Sequence, residues 1–307
     1  MRLVFAGTPE PAVPSLRRLA ASDHDIAAVI TRHDAPLGRK RVLTPSPVAA
    51  AADELGLHAL RADRLDAAAT ERIAALRPDL GVIVAYGGLV REPLLSVPVH
   101  GWINLHFSLL PRWRGAAPVQ HALIAGDAVT GASVFQLVPE LDAGDVFAEI
   151  RQDISATATA GELLAALAES GAELLAGVVD AIAAGAAVAR PQVGETTYAH
   201  KLNDADGLVD WTQAQPVVWG RIRGVTPEPG AHTLVDGARL KVLAVGPAQV
   251  DAPALEPGAL ELYGRDVLIG TGTVPLSLQT VQPAGKGPMR AADWWRGLRT
   301  STPVAGA

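Results

Sequence analysis

The feature that most constrains this chain is a short apolar run that recurs with helix-like segments between its copies. The opening Arg2-Leu3-Val4-Phe5-Ala6-Gly7 is halted by Gly-Thr-Pro, as expected of a strand buried on both faces. Residues 26–31, 80–85, 102–106 and 133–138 repeat the pattern, and residues 15–21, 47–55, 66–76 and 119–125 carry helix-favouring composition between them. This alternation predicts a doubly wound, Rossmann-like α/β domain whose strands run parallel. Thr159-Ala-Gly-Glu162 reads as a capping box. Leu163, Leu167, Leu174, Leu175, Val178 and Ile182 then recur at helical spacing, so a long helix should pack across the sheet.

Beyond about Gly194 the pattern changes to short β-like runs, at 232–235, 239–244, 267–269 and 274–281, separated by Gly and Pro turns. A small all-β, OB-like barrel domain is expected to follow, with the boundary within 195–202, so that residues 1–198 form one domain and 199–307 the other. Trp294 and Trp295 should close its core. A length of 307 residues fits two domains.

Composition removes several function classes. The chain has no cysteine, which excludes disulfides, thiol catalysis and cysteine-ligated zinc and fits a cytoplasmic protein. The first residues lack the apolar core of an export signal, and the most apolar long stretch, 163–189, contains Glu169, Glu173 and Asp180, so no membrane span is expected. His100, His106 and His121 lack metal-ligand spacing, and no metal is expected. Gly7-Thr-Pro-Glu is not a G-x-G-x-x-G turn, which argues against a dinucleotide cofactor. The net charge of −6 is unevenly spread: residues 1–200 hold 16 Lys and Arg against 22 Asp and Glu, whereas residues 201–307 hold 10 of each. From Lys286 onward the cations Lys286, Arg290, Arg296 and Arg299 face one carboxylate, Asp293, a local balance suited to a polyanion.

The chemistry-bearing segment is Asn104-Leu-His106-Phe-Ser108-Leu109-Leu110-Pro111-Arg112-Trp-Arg114-Gly-Ala-Ala-Pro118. Two apart on a strand, Asn104 and His106 share one face, at the strand end where parallel α/β sheets place ligands. An amide and an imidazole there can hydrogen-bond an oxygen that gains negative charge while the imidazole handles a proton, the two abilities acyl transfer needs. The loop Pro139-Glu-Leu-Asp142-Ala-Gly-Asp145 offers a carboxylate that could orient His106 and raise its pKa. Taken singly, each residue could be a turn cap or a satisfied core histidine.

With the opening Phe5-Ala-Gly-Thr-Pro9 and the late Leu278-Gln-x-x-Gln-Pro-Ala-Gly-Lys286, these segments resemble the methionyl-tRNA formyltransferases from Arg2 to about Arg299. The resemblance implies that Asn104, His106 and Asp142 are the catalytic set and that Ser108, Leu109, Leu110 and Pro111 line the folate site. It implies 10-formyltetrahydrofolate as formyl donor and methionyl initiator tRNA as acceptor. In that family the loop before Pro45-Ser-Pro47 meets the acceptor end of tRNA, which points to Arg39 and its neighbours Lys40 and Arg41, with Lys286 as a further tRNA contact. A cytoplasmic monomer is expected. Asn-x-His and Ser-Leu-Leu-Pro are common to folate-dependent formyltransferases and hydrolases, so formylation of a sugar-nucleotide amine stays open as the alternative. Phe107 stands where the family has a small residue and is expected to pack into the sheet. The stretch from Arg221 to Gly230 matches the family's Arg and Pro-x-Pro pattern without its usual aromatic.

Overall fold

The computed structural model describes residues 1–38, 40–298 and 303–306. The chain divides into two compact units: 1–118, 129–153 and 164–198 form the first, and 119–128, 154–163 and 199–307 the second.

In chain order the first unit begins β1 (Arg2–Gly7), α1 (Val13–Ala20), β2 (Asp25–Thr31), β3 (Ala35–Leu37), β4 (Val42–Thr44), α2 (Pro47–Glu54), β5 (Ala59–Arg61), α3 (Ala67–Ala75), β6 (Leu80–Val84), β7 (Trp102–His106) and β8 (Arg114–Gly115). Then come α4 (Pro118–Ala125), which from residue 119 on belongs to the second unit, β9 (Val129–Gln136), β10 (Val146–Asp153), α5 (Ala160–Ala183), whose first turn does too, and β11 (Tyr198–Ala199). Seven strands make one sheet in the order β10-β9-β7-β6-β1-β2-β5. Leu3 to Ala6 of β1 and all of β6 are buried, because both faces of these central strands are covered. The strands from β5 to β7 run parallel, as the alternation predicts.

The strand expected at 133–138 differs: β9 ends at Gln136 and runs antiparallel to both β7 and β10. Its hairpin with β10 replaces a helical crossover, and the hairpin loop carries Asp142. The β10 strand has no counterpart among the sequence expectations. It alternates half-buried and exposed residues at the sheet edge and lacks the continuous apolar run that marks the central strands. Helix α5 packs where expected, with Gly171 against Leu105 of β7; a Cβ there would lie 3.0 Å from that leucine's side chain. The capping box is present: Glu162 Oε2 accepts from the Thr159 amide at 2.9 Å, and the Thr159 hydroxyl accepts from the Glu162 amide at 3.3 Å.

At the start of β7 the fully buried Trp102 lies opposite Gly81 of β6 and donates its indole N–H to the Leu94 carbonyl at 2.9 Å. A Cβ on Gly81 would come within 2.1 Å of that indole. Glycine on one strand is thus the seat for tryptophan on the next.

The second unit continues with α6 (Gln215–Gly224), β12 (His232–Val235), β13 (Ala238–Pro247), β14 (Leu260–Tyr263), β15 (Asp266–Ile269), β16 (Leu276–Pro283), β17 (Met289–Arg290), α7 (Ala291–Trp295) and β18 (Ala305–Gly306). Strands follow the order β14-β15-β16-β13-β12-β18. The ring closes where Val304 bridges Ala259 and the Ala305 amide donates to the Gly258 carbonyl at 2.8 Å. The result is an antiparallel barrel, which removes free sheet edges. Trp211, Val218, Ile222, Val242, Leu276, Val281 and Trp294 fill it, and Trp295 packs against that core, as expected of the Trp pair. Helices α6 and α7 are additions to the all-β expectation; α6 is short and begins with proline in its first turn, so its sequence signal is weak.

Candidate active site

Strand β7 brings Asn104 and His106 to its carboxyl end. Asn104 is registered between Ile83 of β6 and Phe135 of β9, and His106 lies opposite Ser133. The Asn104 side chain is half-buried and makes no hydrogen bond among the described residues. His106 is buried, with Phe135 edge-on to its ring at 6.4 Å between centroids. Its Nε2 lies 2.9 Å from the Trp113 carbonyl oxygen. A carbonyl only accepts, so Nε2 carries the hydrogen and Nδ1 is the nitrogen left to take or give a proton.

The loop that supplies this carbonyl is tied in place by its own sequence. The Ser108 hydroxyl donates to the Arg112 carbonyl at 2.6 Å. The Ser133 hydroxyl accepts from the Leu110 amide at 3.2 Å and donates to the Ser108 carbonyl at 2.7 Å. Trp113 takes a left-handed φ of 61°, and its amide donates to the Thr197 hydroxyl at 2.9 Å. The Ser-Leu-Leu-Pro stretch therefore serves first to shape the loop: Ser108, Leu110 and Pro111 are buried, and half-buried Leu109 packs over Gly131. Phe107 is buried, as expected.

Asp142 also sits in left-handed backbone, at φ 46°, within a loop whose Gly144 approaches the Gln136 carbonyl so closely that a Cβ would lie 1.7 Å from it. The Leu-Asp-x-Gly pattern is a requirement of this turn. One Asp142 carboxylate oxygen, Oδ2, accepts from the Gly115 amide at 2.7 Å and lies 3.8 Å from His106 Nδ1, close for two charges and too long for a hydrogen bond. Burial holds the His106 ring below the ordinary imidazole range, while the nearby Asp142 charge and the Trp113 carbonyl pull it upward. The expected rise is thus present only as the opposing influence, because desolvation of the imidazolium outweighs it. His106 rests neutral, with its Nδ1 lone pair toward the Asp142 carboxylate.

Sequence reading brought Asn104, His106 and Asp142 together but missed the partners that fix them: the Trp113 carbonyl, the Gly115 amide, Thr197 and Gln192. Main-chain partners leave no side-chain signature, and Thr197 and Gln192 lie about 80 residues from the loop they hold.

The basic residues lie elsewhere. Lys40 and Arg41 are exposed at the tip of the hairpin of β3 and β4, whose Leu37, Val42 and Leu43 are exposed as well. Arg39 lies outside the described residues, as does Arg299. In the late cluster Arg290 and Arg296 both pair with Asp293, and exposed Lys286 lies in the turn between β16 and β17. Among the described residues no group of three or more His, Cys, Asp or Glu is placed to hold a metal, and no helix is long and apolar enough to cross a membrane.

The chain that carries this site is a formyl transferase: residues 1–179 match the formyl transferase family and residues 201–299 its C-terminal domain. The chain is 66% identical to a methionyl-tRNA formyltransferase from Leifsonia xyli, with 97% of each chain covered. It is 63% identical to one from Clavibacter sepedonicus, over 99% of this chain and 100% of that one. The chain belongs to the methionyl-tRNA formyltransferase family. An N-formyltransferase from Helicobacter canadensis, solved with folinic acid and dTDP-3-aminofucose, shares the fold at a TM-score of 0.70 and 15% identity, over 90% of this chain and 98% of that one.

Proposed function

We propose that this protein transfers a formyl group from 10-formyltetrahydrofolate to the α-amino group of methionyl initiator tRNA and so supports translation initiation, working as a cytoplasmic monomer. Residues 1–198 form the catalytic domain and 199–307 the tRNA-binding domain. The observation that carries the reading is the Asn104 amide, without a hydrogen-bond partner among the described residues, on the same strand as a neutral His106 whose Nδ1 faces Asp142. Both side chains are donors or acceptors in waiting.

The folate donor supplies a formyl carbonyl, and the stretch from Ser108 to Pro111 lines its site. Asn104 donates its amide N–H to the oxygen that becomes negative as the amine attacks. His106 takes the amine's proton at Nδ1, which places the new N–H opposite the Asp142 carboxylate and gives the imidazolium a counter-charge. That proton is then available to the nitrogen that departs. The enzyme forms no covalent bond in this scheme; it positions and polarises.

Incubation with formyl-tetrahydrofolate and charged initiator tRNA, charged elongator tRNA or an amino-sugar nucleotide tests the reading. Formylation of initiator methionyl-tRNA is expected; formylation of the sugar amine alone would overturn it.

Asp142 gives a pH prediction. His106 must be neutral to accept the proton, so activity rises with pH through its pKa. Asp142→Asn removes the charge that raises this pKa, and the acid limb of the kcat/KM profile is expected to move to lower pH while turnover falls by about 10- to 100-fold. An unmoved limb with normal turnover would reduce Asp142 to a turn former.

Arg39, Lys40, Arg41 and Lys286 serve as phosphate contacts. Replacing Lys40 and Arg41 together by Ala should lower the slope of log affinity against log salt by roughly 1.4–1.8, at about 0.7–0.9 of a counterion per phosphate. Affinity for the folate donor should not change. An unchanged slope, measured by tRNA binding between low and moderate salt, would remove these two residues from the tRNA contact.

A further inference from the structure

Outside the reacting residues, a single amide spans the two loops that set their geometry. Gln192 donates from Nε2 to the carbonyls of Asp142 and Gly144, at 2.8 Å each. Its Oε1 accepts from the Arg114 guanidinium, 2.6 Å from Nη2 and 3.2 Å from Nε. The partners fix the amide's orientation, since two carbonyls demand the NH₂ and a guanidinium demands the oxygen. The segment that bears it is anchored at both ends: Arg190 exchanges backbone hydrogen bonds with Val146, at 2.8 and 2.9 Å, and Thr197 holds the amides of Trp113 and Arg114, each at 2.9 Å.

We propose that Gln192 is a positioning residue for formyl transfer, one that acts through Asp142; the proposal rests on the assignment of Asp142 and His106 given above. One of its bonds reaches the residue whose carboxylate faces His106. Another reaches Arg114, whose neighbours in sequence supply the Trp113 carbonyl to His106 and the Gly115 amide to Asp142. The separation of 3.8 Å between His106 Nδ1 and the Asp142 carboxylate depends on how these two loops hold their residues, and Gln192 is a strut between the loops. The need for a strut is local, because Asp142 and Trp113 both adopt left-handed backbone, which non-glycine residues keep only when their surroundings enforce it.

No other natural side chain of this length offers two donors and an acceptor in one plane. Gln192→Glu would set a carboxylate oxygen against the two carbonyls. Gln192→Met keeps the length and removes every bond. In the full-length enzyme, either change is expected to lower kcat roughly tenfold with KM for methionyl-tRNA within about twofold of the parent. Gln192→Met, which adds no charge, should also move the acid limb of the pH profile downward, the direction expected of Asp142→Asn, since a displaced carboxylate raises the His106 pKa less. In the Asp142→Asn background, Gln192→Met should cost nothing further, because a strut that acts through Asp142 has nothing left to place. Far-ultraviolet circular dichroism and thermal unfolding check that each variant folds; should Gln192→Met fail to fold, the uncharged Gln192→Leu carries the same comparison. An unmoved pH limb, or a loss that adds fully to that of Asp142→Asn, would overturn the proposal. A normal rate in Asp142→Asn alone would defeat the site assignment itself, and so stands apart from a failure of the strut.

Discussion

Replacing His106 by Ala is expected to lower turnover by about 10²- to 10⁴-fold, the range removed with a general base, while the formyl donor still binds. The ring is buried on β7, tethered at Nε2 by the Trp113 carbonyl, with Nδ1 toward Asp142, so one substitution deletes both the proton acceptor and the cation that Asp142 would stabilise. Single-turnover formylation of methionyl-tRNA at saturating donor isolates the chemical step. His106→Gln is a useful companion, since it restores polar bulk without a titratable nitrogen and should be nearly as slow. Turnover near that of the parent in either variant would end the role given to His106.

The second large effect is on stability. Trp102→Ala is expected to cost about 3–5 kcal/mol, the usual range for truncating a large buried aromatic, and it also strands the Leu94 carbonyl that the indole N–H satisfies. Gly81 cannot compensate, because its missing side chain is the space the indole fills. A loss of this size is a large part of a domain's typical net stability of about 5–15 kcal/mol. Urea unfolding followed by circular dichroism measures it, and a loss below about 1 kcal/mol would mean that the indole contributes no more than a surface side chain.

The two substitutions also mark what was legible in the amino-acid sequence. Strands such as β1, β6 and β7 announce themselves, because burial on both faces demands an uninterrupted apolar run. The direction of β9 does not, since the same alternation serves a parallel or an antiparallel neighbour and only the connection decides. Edge strands such as β10 and the three-residue β5 carry too few buried positions to stand out. Helix α6 hides for a related reason, having an early proline and only 10 residues. At the site, Asn104 and His106 were visible through strand periodicity, and Asp142 through the glycine that its turn needs. Gln192 was not visible, because its bonds reach 48 to 78 residues back along the chain and two of its partners are peptide carbonyls, which every residue possesses. Closure of the barrel by Val304 on Ala259 is likewise a property of the folded ring, without a local motif.

The partners that hold His106 and Asp142 most directly are main-chain atoms, the Trp113 carbonyl and the Gly115 amide. Those two holds run through the backbone, so they carry over to any side chains that keep the loop's path. Arg112 and Trp113, whose guanidinium and indole stack on each other at 4.7 Å, lie on that loop. In evolutionary terms, substitutions that preserve the loop's backbone path can vary its outward side chains while leaving the His106 imidazole and the Asp142 carboxylate held as they are.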